Sequence, residues 1–216
     1  EDGYQLKDMK SLLKSAEQER STYKVPFTDN ERMKSCLENF LIWNAKLGET
    51  VSAEMNVSVP LDAKNDITFI GIIDRVVKGT DGGYLVIDYK TSKREKKKAT
   101  LMDDNQLKGY AYAIHEMYDV PYDKIFCSHY YPVTGNFVSV KFSKWQVEKW
   151  KKKQIEKVWM IRKKKKDEFW SQQNVFCDWC EYKPACDKFN SPSEVCARID
   201  EQKELKKRLD EAKKKA

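Results

Sequence analysis

Asp74, Asp88 and Lys90 combine residue types and a spacing suited to phosphate chemistry. They interrupt two apolar runs, Ile70 to Val77 and Tyr84 to Ile87, on either side of Gly79-Thr80-Asp81-Gly82-Gly83, a pattern that predicts two antiparallel strands joined by a turn. Residues two apart on a strand point the same way. Asp88 and Lys90 therefore share a face, roughly 7 Å apart along the backbone, while Leu85, Ile87 and Tyr89 take the other. Pairing of the two strands brings Asp74 beside them. Carboxylates gathered in a partly buried sheet repel one another and lose hydration unless a cation sits between them, and one lysine neutralises only one of the two. The pattern predicts a divalent metal site.

The flanking segments supply a scaffold for that hairpin. Leu6, Met9, Leu12 and Leu13 lie near helical spacing in residues 4–20, and Pro26 ends the segment. Thr28 or Asp29 caps a second helix from Asn30 to Leu47, with a stripe of Met33, Leu37, Phe40, Leu41 and Asn44 before Gly48 stops it. A strand follows from Thr50 to Val59, with Val51, Ala53, Met55, Val57 and Val59 on one face and Glu54, Asn56 and Ser58 on the other. Beyond Lys90, the helix from Asp103 to Tyr118 carries Gln106 and Tyr110 four apart on one side, and Leu107, Ala111, Ile114 and Tyr118 on the burying side. Strands Lys124 to Tyr131 and Phe137 to Phe142 flank a second turn, and Ser143 with Gln146 forms a capping box that opens a helix to about Lys166. This order predicts an α/β fold in which a mixed central sheet is flanked by helices.

Composition narrows the partners. The 216 residues carry a net charge of +7 with 35% charged side chains, which favours a polyanion or serves solubility. Lys144 to Lys166 alone hold eleven basic and two acidic residues, interleaved with Trp145, Trp150 and Trp159, read either as a core stripe or as part of a nucleic-acid surface. The loop Thr91 to Lys98 offers Lys93, Arg94, Lys96, Lys97 and Lys98 as phosphate contacts or as a solvated connection. No apolar run approaches the length of a membrane span, and the N-terminal residues lack a signal core, so the expectation is an intracellular, unsecreted protein without a membrane partner. Cys177, Cys180 and Cys186 form C-x2-C-x5-C, a spacing that points to metal ligation in a reducing compartment, with Cys196 as a candidate fourth ligand for local zinc. Cys127, His115 and His129 read as structural.

The ordered set GIIDR, VIDYKT and Gln106-Leu107-Lys108-Gly109-Tyr110 resembles the motifs of the RecB-like branch of the PD-(D/E)XK nucleases. That resemblance implies a restriction-endonuclease-like fold over residues 1–190, followed by a charged helical tail over 191–216. It implies Mg²⁺ or Mn²⁺ held by Asp74, Asp88 and the carbonyl of Tyr89, with Lys90 acting on the attacking water or the phosphate. Glu54 matches an acidic residue near the metal, and Gln106 and Tyr110 match residues that brace the lysine and contact the DNA backbone, though packing serves Tyr110 nearly as well. The cysteine spacing resembles the iron–sulfur staple of that branch, which implies a 4Fe–4S cluster on Cys36, Cys177, Cys180 and Cys186. No histidine matches the one the family places upstream of its motifs. The implied activity is hydrolysis of DNA phosphodiesters, exonucleolytic on single strands or ends, in replication, repair or recombination, with a helicase or recombination partner. A non-catalytic or zinc-stabilised nucleic-acid-binding module is the alternative.

Overall fold

A computed structural model describes residues 9–23, 30–165, 168, 171–190, 200, 201, 203, 204, 207 and 211. Among these residues five α-helices and five strands are placed, α1 Met9–Tyr23, α2 Asn30–Asn44, β1 Glu49–Asp62, β2 Ile67–Lys78, β3 Tyr84–Tyr89, α3 Lys98–Leu101, α4 Asn105–Tyr118, β4 Ile125–Tyr131, β5 Asn136–Val140 and α5 Lys144–Lys163, the expected order except for the short α3, which the sequence pattern did not predict. The chain divides into two compact units, Glu1–Trp159 and Met160–Ala216. Most of the predicted tail lies outside the described residues.

The sheet is mixed and runs in sequence order, β1-β2-β3-β4-β5. Only β3 and β4 pair in parallel, because α4 crosses between them, and the other neighbours are antiparallel. Both faces are covered. On one, Ile73, Val76, Val86 and Cys127 meet Leu107, Ala111 and Ile114 of α4 and Val147 and Trp150 of α5. On the other, Val77, Ile87 and Tyr130 meet Phe40 and Trp43 of α2. The Trp43 and Tyr130 rings stack with centroids 3.9 Å apart, a contact worth about 0.5–1.5 kcal/mol beyond its buried area.

Alternation along β3 follows the expected pattern: Tyr84 and Val86 enter the α4 core, while Leu85, Ile87 and Tyr89 face α2. Along β1 it holds from Met55 to Leu61 and fails before that. Val51 and Ala53, expected on the inward face, are exposed. The pairing slips between Thr50 and Ser52, and Glu54 adopts a left-handed backbone with φ +49°. The capping box holds as expected, with the Gln146 N–H donating to Ser143 Oγ at 3.3 Å and the Ser143 N–H to Gln146 Oε1 at 2.9 Å. Of the three tryptophans around α5, Trp150 is core, while Trp145 and Trp159 are exposed.

Gly109 sits where α4 presses on β2 and α5. A Cβ there would lie 2.6 Å from the Phe69 ring and 3.1 Å from Trp150. Overpacking of this kind costs about 1–3 kcal/mol, against a gain of about 1 kcal/mol from replacing glycine within a helix. Gly109→Ala is expected to lower the thermal midpoint despite its better helix propensity. Differential scanning calorimetry checks this, and a raised midpoint would show that Phe69 has room to yield.

Candidate functional site

β2 carries Asp74 to the point where its side-chain phase changes. Ile73 and Val76 both enter the α4 core, although strict alternation would put them on opposite faces. The slip falls at Asp74 and Arg75, across the ladder from left-handed Glu54, which stands between the pairs Ala53↔Arg75 and Met55↔Ile73. A non-glycine residue in that conformation stores about 1–3 kcal/mol. Several bonds hold the distortion in place. Arg75 donates to Thr50 Oγ1 at 2.6 Å and to Asn44 Oδ1 at the end of α2 at 2.7 Å. Tyr110 donates to the Ile72 carbonyl at 2.5 Å, and its oxygen accepts from Gln106 Nε2 at 2.9 Å. The Gln106–Tyr110 pair thus clamps β2 two residues before Asp74. Burial raises the Tyr110 phenol above its ordinary range, which keeps it a donor.

Asp74 and Asp88 meet at the β2–β3 step. The ladder pairs Arg75 with Ile87, and Asp74 Oδ2 accepts the Tyr89 N–H at 2.8 Å. Asp88 is 2% exposed, and its Oδ2 is ion-paired with Lys90 Nζ yet accepts no hydrogen bond of ordinary geometry. Its pKa is raised: burial is the main cause, the Lys90 ammonium opposes it, and the charges of Asp74 and Asp104 reinforce it. Lys90 keeps a third of its side chain in solvent. Glu54 is exposed on β1. In the following loop Lys93, Arg94, Lys97 and Lys98 are exposed, and Lys96 is committed to Asp104 Oδ2 at 2.9 Å.

Two residues at this site escaped the sequence reading. Asp104 caps α4, its Oδ1 accepting from the N–H groups of Gln106 at 3.0 Å and Leu107 at 3.2 Å. Burial works to raise its pKa, but Lys96 and the helix N–H groups outweigh that and lower it. His129, read as structural, is fully buried on β4 directly beside Asp88. Burial lowers its pKa to about 4, with the nearby Lys90 ammonium adding to the effect, so the ring is neutral. An aspartate just before a helical run was a readable cap signal for Asp104. No local pattern could have placed His129 against Asp88.

The PD-(D/E)XK nuclease superfamily model matches residues 6–187, and the chain belongs to that superfamily. No curated protein matches it. The expected RecB-like, iron–sulfur type is not upheld. Among the described residues no three His, Cys, Asp or Glu side chains gather to hold a metal ion, which overturns both the 4Fe–4S cluster on Cys36, Cys177, Cys180 and Cys186 and the zinc alternative. Each of these four cysteines is a free thiol. Cys36 lies on α2, whereas the other three occupy or follow two short helical turns, Cys177–Trp179 and Lys183–Ala185. Cys186 points its S–H at Asp187 Oδ1, 3.8 Å away, and Cys177 Sγ accepts the Asn174 N–H at 3.2 Å. Cys196 lies outside the described residues. Among those residues no helix is long and apolar enough to cross a membrane.

The lowered pKa of Asp104 makes a signed prediction. A carboxylate whose folded pKa lies below its unfolded value, near 4, contributes stability above that value and loses it as the pH falls. Asp104→Asn keeps a capping side chain and removes the charge. Melting curves between about pH 6 and pH 3 should show the wild-type midpoint falling more steeply below the carboxylate range than that of the variant. Parallel curves would mean that Asp104 does not titrate as its partners imply.

Proposed function

We propose that the chain is a metal-dependent deoxyribonuclease whose reacting groups are Asp74, Asp88 and Lys90. One observation carries the reading: a buried carboxylate oxygen of Asp88, without an ordinary hydrogen bond, stands beside a second carboxylate and a lysine that reaches solvent. Two neighbouring carboxylates, one of them buried, share a single ammonium, and a hard cation would offset the charge that remains.

The donor set fits Mg²⁺ or Mn²⁺. Mg²⁺ is ordinarily held by one or two carboxylates together with water and substrate phosphate, so Asp74 and Asp88, joined by the Tyr89 carbonyl, are ligands of the right kind and number. When bound, such an ion polarises the scissile phosphate and lowers the pKa of its water. Asp74 is held for this role by the Tyr89 N–H, and Asp88 by its burial beneath α4. Lys90 is close enough to Asp88 to be oriented by it and exposed enough to reach a phosphate oxygen, where its ammonium offsets the charge that builds during hydrolysis. Gln106 and Tyr110 act through β2, fixing the backbone that presents Asp74. Glu54 contributes by its strained backbone opposite Asp74, and its exposed carboxylate is free to approach the attacking water.

Lys93, Arg94, Lys97 and Lys98 are the phosphate contacts of the loop leaving the site. Lys96 gives less, being neutralised by Asp104. On the motif order alone, the reading extends to exonucleolytic hydrolysis of single strands or ends.

End-labelled single-stranded, duplex, flapped and circular DNA with Mg²⁺ or Mn²⁺ tests the proposal. Lys90→Ala should lower the cleavage rate by about 10²–10³-fold, the scale expected when one preorganised charge is removed from a phosphoryl-transfer site. Asp88→Asn should abolish cleavage and raise the melting temperature of the metal-free protein. The sign follows from the raised pKa of Asp88: its ionised form lowers the stability of the fold at neutral pH relative to the unfolded chain. Cleavage by both variants at the wild-type rate would refute the assignment.

A further inference from the structure

His129 is a buried titratable group to which the proposed chemistry assigns no role. Its two ring nitrogens have different surroundings, and these fix where its proton lies. Nδ1 stands 3.4 Å from Tyr131 Oη, and that oxygen accepts the Lys96 N–H at 2.9 Å. The phenol has a single proton. That oxygen can partner Nδ1 in either tautomer, and the carboxylates facing Nε2 favour the one with the ring proton on Nε2. Nε2 faces two carboxylate oxygens, Asp88 Oδ2 at 3.7 Å and Asp104 Oδ2 at 4.0 Å, and has no hydrogen-bond partner.

The two carboxylates differ in what they still need. Asp104 is satisfied: Oδ1 takes two backbone N–H groups of α4, and Oδ2 takes Lys96 Nζ. Asp88 Oδ2 is not, since Lys90 pairs with it without ordinary hydrogen-bond geometry. A buried donor and a buried acceptor therefore face each other slightly beyond bonding distance. Leaving such groups unpaired is unfavourable, and a movement of under about 1 Å would join them. Two things hold them apart: Lys90 occupies Oδ2, and the parallel register of β3 and β4 fixes both backbones.

We propose that His129 is a positioning residue for Asp88, its Nε2–H closing on Oδ2 when Lys90 leaves that oxygen for a phosphate. This rests on the nuclease reading above. The ring transfers no proton. It replaces the lysine as the donor that holds the carboxylate, leaving the other oxygen of Asp88 oriented for a cation. Tyr131 and the Lys96 N–H support the ring from behind, tying the basic loop to the orientation of Asp88. Partners of this kind, bonded to a ligating carboxylate, typically change metal affinity 10–100-fold.

Mn²⁺ binding to the full chain, followed by electron paramagnetic resonance alongside thermal melting, tests the inference without relying on turnover. Asp88→Asn, expected to lose binding, marks the site. His129→Leu removes the donor while keeping apolar volume, and should weaken Mn²⁺ binding at least about tenfold, whereas His129→Gln, whose amide reaches the Nε2 position, should stay within about threefold of wild type. In cleavage assays the loss should appear in the metal requirement and in kcat, with KM for DNA unchanged. Wild-type affinity in a folded His129→Leu overturns the proposal. If that variant does not fold, Tyr131→Phe decides: it keeps the ring and its packing but removes the hydroxyl that steadies Nδ1, and unchanged affinity again overturns the inference. Failure of the wild-type protein to bind Mn²⁺ would overturn the nuclease reading and this inference together, whereas wild-type binding with unaffected variants removes the inference alone.

Discussion

A negative charge buried at the end of β3 governs the architecture around it. Asp88 is almost wholly removed from water, and an ionised carboxylate in that position is tolerated only with charges and dipoles arranged to receive it. Lys90, two residues on and on the same face, provides the nearest positive charge. Asp104 adds a further negative charge, but it is matched by Lys96 and by the N-terminus of α4. Neutral His129 fills the space between the two carboxylates without adding charge of either sign. The balance is incomplete at one atom, Asp88 Oδ2, where Lys90 pairs without ordinary hydrogen-bond geometry.

Holding Asp74 beside this charge requires β2 to leave its regular path. The phase of the strand slips, the partner strand takes up a left-handed residue at Glu54, and side chains from α2 and α4 secure the backbone on either side. The cost of the irregularity is met by packing elsewhere in the sheet, where Ile73, Val76, Val86 and Ile87 are fully buried. Stability in the body of the sheet and strain beside Asp74 are two consequences of one arrangement. Gln106 and Tyr110 gain a physical role in this view: they steady a strand and so steady Asp74.

Much of this was visible in the residues before any coordinates. The hairpin, its turn, the common face of Asp88 and Lys90, the helix bearing Gln106 and Tyr110, and the Ser143–Gln146 cap all depend on neighbours within a few positions. The break in β1 was not visible, because Val51 and Ala53 continue the alternation in composition while the pairing slips beneath them. The cysteines misled for a related reason. C-x2-C-x5-C reads as a ligand set, but ligation needs thiolates that converge, and spacing alone does not bring them together.

Periodicities of two and of 3.6 residues, with caps and turns, were enough to derive the elements and to say which side chains share a face, because those relations are settled within one strand or one helix. Folding was needed to bring His129 against Asp88 and to turn Asp104 and Lys96 into a pair. Those relations join segments that touch only once α4 has packed across the sheet and set the parallel register of β3 and β4, and a linear pattern does not contain that register.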